Sequence, residues 1–166
     1  MKKFLKFTAL SVVLLVLAGV ATSCNDKEKK KSLLASTQWK LMGIVDEETG
    51  KLREIVAPLC NEDCSCYVLV FGSACTFSTE QAQGTFSSRT HMNVFCGGYV
   101  FDNKPNRFRI VSFGGTQVYE FGDPHLYYSA FKARFQPFFV LENGSLWLYN
   151  GENRRLLFKK KLQNKL

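Results

Sequence analysis

From residue 36 onward the chain is written in short alternating apolar runs broken by turn residues, and this restricts its fold more than any other feature. Trp39 and Leu41 share one face of a first strand over residues 36–45. Tyr67-Val68-Leu69-Val70-Phe71 is β-branched and aromatic throughout. Phe108-Arg109-Ile110-Val111-Ser112-Phe113 follows the turn residues Asp102-Asn103-Lys104-Pro105-Asn106. Residues 138–141 and 145–149 flank Asn143-Gly144, the strongest short-range hairpin signal available. Arg154–Lys160 reads as the last strand. Weaker strand signals lie at residues 51–57, 75–77, 92–95, 99–101 and 116–119, while the polar stretch 78–89 carries no clear period. Gly97-Gly98 and Gly114-Gly115 flank strands and lack the strand–loop–helix setting of a phosphate cradle, so bends or bulges are expected there.

One helix interrupts this pattern. Asp123-Pro124 is a start signal, with Asp123 placed to accept from free N–H groups and Pro124 where its missing N–H costs nothing. Leu126, Tyr127, Ala130, Phe131 and Arg134 keep helical spacing to about residue 135, and Gln136-Pro137 stops it. The expectation is a mainly β chain: a single antiparallel, calycin-like β-barrel of about eight strands, with one short helix before the last three. Fifteen Phe, six Tyr and two Trp supply ample core for one domain.

The first 23 residues read as a secretory signal. Lys2, Lys3 and Lys6 precede an uncharged apolar run that is too short to span a bilayer, and Ala21-Thr22-Ser23 are small. With Cys24 they resemble the bacterial lipobox, although leucine is missing from its usual place three residues before the cysteine. The resemblance implies cleavage before Cys24, diacylglycerol on its sulfur and acylation of the new N-terminus. Several acyl chains give stable anchoring. Residues 24–35 then form a solvated, lysine-rich tether, residues 36–161 the barrel, and residues 162–166 a basic tail. Asn25 resembles the proteobacterial sorting signal for the outer membrane. The implied location is the cell envelope, on a periplasmic or surface-facing outer-membrane lipoprotein.

The whole chain carries a net charge of +8. Much of the excess sits in the tether and tail, and no basic stripe with interleaved aromatics lies between them. Nucleic acid is therefore not an expected partner.

Residues 120–158 resemble the closing unit of META/HslJ-like domains: an acidic residue, a short helix, then Leu146-Trp147-Leu148 and Leu156-Leu157-Phe158. Trp39-Lys40-Leu41 resembles their opening strand. A looser likeness links the chain to lipocalins, in which a last-strand arginine packs on a first-strand Trp. It implies that Arg154 or Arg155 stacks on Trp39.

Exported cysteines are disulfide candidates by default, which applies to Cys60, Cys64, Cys66, Cys75 and Cys96. Spacing does not choose the pairing: Cys60 with Cys64 or Cys66 would close a small loop, and Cys75 with Cys96 would tie neighbouring strands. A metal site from Cys60, Asp63, Cys64, Cys66 and His91 lacks the second matched pair of structural zinc sites, so no metal or other cofactor is expected. His125, in the first turn of the helix, is expected to face solvent or to take a capping role. No nucleophile elbow or acid–base pair emerges, and the expectation is a protein that is not an enzyme. Trp39, Phe71, Phe101, Phe113, Tyr119, Phe139 and Trp147 are the candidates for lining a lumen that holds an apolar or amphipathic small molecule. The alternative is a filled barrel acting as a protein-interaction or envelope-structural module, its protein partner unknown.

Overall fold

A computed structural model describes residues 34–55, 65–132, 136–150 and 154–161. Cys24 and most of the tether, Cys60, Asp63, Cys64 and the tail 162–166 lie outside the described residues.

The strands are β1 (Gln38–Asp46), β2 (Leu52–Arg53), β3 (Val68–Phe71), β4 (Gly84–Arg89), β5 (Val94–Phe101), β6 (Arg107–Gly115), β7 (Phe138–Glu142), β8 (Ser145–Tyr149) and β9 (Arg154–Lys160), with helix α1 (Asp123–Ser129) between β6 and β7. Every pairing is antiparallel, and the strands follow chain order from β3 to β9. β1 closes the ring. It pairs with β3 through Gln38, Trp39 and Lys40, and with β9 along its whole length from Trp39↔Lys160 to Asp46↔Arg154. The result is a closed eight-strand barrel, with β2 as a short addition to the far half of β1. Closure removes the open sheet edges that invite aggregation.

The local chemistry explains the clearest elements. Asn143 and Gly144 both take positive φ, at 48° and 69°, which is what the tight β7–β8 hairpin requires. Strand alternation sends Leu146 and Leu148 of β8, Phe139 of β7 and Leu156 and Phe158 of β9 into the lumen, all buried. The bulge lies at Gly98/Tyr99, within a continuous β5.

α1 plugs one end of the barrel. Tyr127 and Tyr128 on its inner face and Phe131 just beyond it are buried. The Phe131 ring lies 4.9 Å from Phe95, 5.6 Å from Phe86 and 6.2 Å from Phe139, centroid to centroid. Phe71 meets Phe139 at 5.5 Å and Tyr99 at 5.6 Å. A ring-to-ring web therefore crosses the lumen from the plug to the wall. Such pairs add about 0.5–1.5 kcal/mol each beyond their area.

Several expectations are corrected. Residues 75–77 form a turn, and residues 84–89 of the polar stretch form β4. Residues 116–119 run outside the sheet. The described helix ends at Ser129, and its cap position is Gly122 with no side-chain cap bond. Asp123 is the first helical residue, and its carboxylate takes Arg53 at 2.7 Å. Arg155 does not stack on Trp39. The register sets Trp39 opposite Lys160 and Arg155 opposite Val45 near the other end, with Arg155 on the outer face. Its guanidinium instead sits 4.5 Å from the Trp147 ring.

Candidate functional site

The barrel has two unlike ends. Leu34 and Lys161, where the described domain begins and ends, lie at the end opposite the plug. Thr37 donates to the Leu34 carbonyl, and the Lys161 N–H donates to Gln38. The plugged end carries the β4–β5 turn at residues 90–93 and the segment 116–121 that leads into α1.

These two segments are held together by a buried polar network. Thr90, Asn93 and Glu120 are nearly inaccessible, with Glu120 8% exposed. The Thr90 hydroxyl donates to Glu120 Oε2 at 2.6 Å, and Asn93 Nδ2 donates to the same oxygen. The Met92 N–H donates to Glu120 Oε1 at 3.0 Å. A buried carboxylate is tolerable when its lone pairs are met in this way. Asn93 also acts as a surrogate strand. Its Nδ2 donates to the Val118 carbonyl at 2.8 Å and its Oδ1 accepts from the Val118 N–H at 2.7 Å. Thr116 N–H donates to the Val94 carbonyl at 3.0 Å. Segment 116–121 is thus pinned by side chains where a neighbouring strand would otherwise serve.

What this platform presents is apolar. Phe121 is 82% exposed and Tyr119 68%, their rings edge-to-face at 4.6 Å. Met92, Val94 and Val118 are exposed on the same two segments. Beside them is a recess of about 180 Å³ lined by Gln117, Glu120, His125, Tyr128 and Lys132. Lys132 Nζ lies 5.5 Å from the Tyr128 ring. Arg89, His91 and His125 are exposed. Single exposed apolar side chains need no explanation, but five on two adjoining segments, held by a dedicated buried network, do.

The outer wall carries a second aromatic group. Arg107 lies 3.6 Å over Phe138, Phe138 stacks on Tyr149 at 5.0 Å, and Arg155 covers Trp147 and donates to the Tyr149 hydroxyl at 3.2 Å. These contacts tie the β6–β9 wall together, with Arg155 Nε buried and without a hydrogen-bond partner among the described residues.

The seven aromatics considered for a lumen lining fall in different places. Trp39, Phe71 and Phe139 are core residues. Phe101 packs on Tyr99 and Phe108 at the end opposite the plug, and Phe113 on Phe95, Tyr128 and Phe131 under the plug. Trp147 faces outward because Leu146 and Leu148 face inward. Tyr119 stands on the rim. No single surface unites them.

Cys75 is bonded to Cys96, across 21 residues. The bond pins residues 72–83 to the outer face of β5–β6. A Cβ on Gly114 would stand 2.4 Å from the Phe77 ring, and one on Gly98 2.7 Å from Ala82, so both glycines clear space for this strap. Cys66 is buried, and its carbonyl accepts from Lys40 Nζ at 3.0 Å. No group of three or more metal-binding side chains occurs among the described residues.

Sequence reasoning missed the network. Glu120 entered only as the acidic residue of a family pattern, and Thr90 and Asn93 not at all. The available signal was a Thr-x-x-Asn turn between strands, with the Thr hydroxyl accepting from the Asn N–H.

The fold is that of an up-and-down antiparallel barrel closed at one end by a helical plug, with an aromatic rim beside the plug. No protein-family profile matches the chain, and no curated protein matches it. Among solved structures, the NMR structure of a protein from Burkholderia xenovorans is similar, at a TM-score of 0.51 and 18% identity over 80% of this chain and 87% of that one. At that identity the similarity shows the barrel fold alone.

Proposed function

We propose that this protein is a non-catalytic lipoprotein of the cell envelope, anchored through acylated Cys24, whose barrel is a filled, rigid body that works through its outer surface. The observation that carries this reading is the occupied lumen. Phe71, Phe86, Phe95, Phe108, Phe131 and Phe139 are each at most 1% exposed, and their rings and those of their neighbours pack against one another. A small molecule taking that space would have to displace them, since a well-packed interior does not yield volume cheaply. The likeness to META/HslJ-like and calycin domains agrees with a barrel of this kind and adds no catalytic signature. Outer-membrane residence rests on Asn25 after the lipidated cysteine.

The test has two arms. Cells expressing the full chain are fed an alkyne fatty acid: wild type should carry the label, and Cys24→Ser should not. The purified protein is then titrated with a brominated fatty acid while Trp39 emission is followed in a Trp147→Phe background. Unchanged emission supports a filled barrel. Saturable quenching would return the lumen to the role of a ligand site.

A further inference from the structure

We infer that the rim made by residues 90–94 and 116–121 is a membrane-insertion tip that takes an anionic bilayer surface. The inference rests on the surface-acting reading above and is independent of the anchor at Cys24.

Three observations converge on it. The first is protrusion. Phe121 and Tyr119 are the two most exposed large apolar side chains among the described residues, and they stand out from the platform in mutual contact. A projecting Phe with a Tyr beside it suits the bilayer interface, where the ring enters the acyl boundary and the phenol stays at headgroup level.

The second is backbone satisfaction. Backbone groups that pass below the headgroups must be paired within the protein, and several of those in the platform beneath the two rings are. Val118 has both of its groups bonded to the Asn93 side chain, the Met92 N–H is taken by Glu120, and the Thr116 N–H by Val94. The same bonds hold the tip in place, so little conformational entropy is lost on insertion.

The third is charge. Arg89 and Lys132 flank the apolar residues, with the polar rings of His91 and His125. The acids nearby are engaged: Glu120 lies buried among three donors, and Asp123 is paired with Arg53. The rim therefore shows cations around an apolar centre, the arrangement that anionic headgroups attract.

The strand directions place this tip at the opposite end of the barrel from Leu34 and Lys161. Insertion would give the domain a membrane contact separate from its N-terminal attachment.

The experiment uses the full chain with Phe121→Trp, reconstituted with vesicles of phosphatidylethanolamine and phosphatidylglycerol, with and without brominated acyl chains. Wild type supplies the background from Trp39 and Trp147. The substitution keeps an aromatic at an exposed site, and near-ultraviolet circular dichroism confirms the fold. The expected result is a blue-shifted emission for Phe121→Trp, quenched by brominated lipid about twofold or more beyond wild type. Replacing phosphatidylglycerol by phosphatidylcholine, or adding Lys132→Gln and Arg89→Gln, should reduce the excess. Water-exposed emission without excess quenching would overturn the inference. So would emission that stays exposed in vesicles and becomes shielded only in native envelopes, because that names a protein surface as the occupant. If Phe121→Trp fails while Trp39 remains unquenched, the tip alone is lost and the filled-barrel reading stands.

Discussion

Removing the ring that joins the plug to the barrel should be costly, and the cost can be worked from the structure. Phe131 is fully buried and touches Phe95, Tyr127, Phe86, Phe113 and Phe139 at centroid distances from 4.9 to 6.2 Å. Phe131→Ala deletes about 100 Å³ of side chain, and at about 24 cal/mol per Å³ an unrelaxed cavity costs about 2.4 kcal/mol before the lost transfer energy is added. Four of the five surrounding rings belong to different strands fixed by the closed sheet, so collapse into the gap is restricted. A total of about 3–5 kcal/mol follows, a large share of the roughly 5–15 kcal/mol that holds a domain together. With a urea slope of about 2 kcal/mol/M, the unfolding midpoint should fall by about 2 M. The cavity would be apolar and dry, so benzene should bind it and restore about 1.4 kcal/mol at ten times its dissociation constant. If Phe131→Ala does not fold, Phe131→Leu should still lower the midpoint by about 0.5–1 M. A shift of either variant within experimental error, with no response to benzene, would refute the packed plug.

Four further outcomes are expected. Glu120→Ala removes one acceptor each from the Thr90 hydroxyl, the Asn93 amide and the Met92 N–H, and should cost about 1–3 kcal/mol in urea titration while speeding hydrogen exchange at the Val118 N–H. Burial pushes the Tyr127 phenol up, against a smaller opposing effect of its bond to Ser88. The unfolded chain therefore releases that proton first, and stability is retained below about pH 10 and lost above it, by up to about 1.4 kcal/mol per pH unit. Absorbance of the phenolate should rise together with unfolding, and Tyr127→Phe should shallow the alkaline slope. Cys75→Ala with Cys96→Ala opens a loop spanning 21 residues and should cost about 3 kcal/mol, read as a lower urea midpoint. Gly97→Ala would set a Cβ against the Ser112 carbonyl and Phe86, and should lower the melting temperature by several degrees, at about 4 °C for each kcal/mol in a domain of this size.

The parts of the fold that were legible in the sequence are those whose information is local. Asn143-Gly144 between two apolar runs specifies a hairpin wherever it occurs, and the apolar and aromatic runs in β3, β6 and β9 are distinct enough to stand alone. β4 does not. Gly84-Thr85-Phe86-Ser87-Ser88-Arg89 has one large apolar side chain, and it is a strand because β3 and β5 hold it on either side. β5 was split at Gly97-Gly98, since glycine reads as a break when the reason for it is across the barrel: the space is needed by Phe86, Ser112 and the strap. Residues 116–119 have the composition of a strand, but their partner is the Asn93 side chain, which no pattern of alternation reveals. The family likeness offers Arg154 or Arg155 to Trp39 without naming which, and Arg155 instead covers Trp147, because stacking depends on register and on which face each residue takes. The rim was illegible for a related reason. Thr90 and Asn93 meet Glu120 from about thirty residues away, and Phe121 resembles any core aromatic until the chain is folded and it is left outside.

The most direct measurement is the mass of the protein purified from the cells that express it, recorded under native and denaturing conditions. A native mass equal to the denatured mass is the expected result, since a lumen occupied by Phe71, Phe86, Phe131 and Phe139 has no place for a guest. A native excess of small-molecule size that disappears on denaturation, and that Phe131→Ala alters, would contradict the filled barrel and make the lumen the site of function.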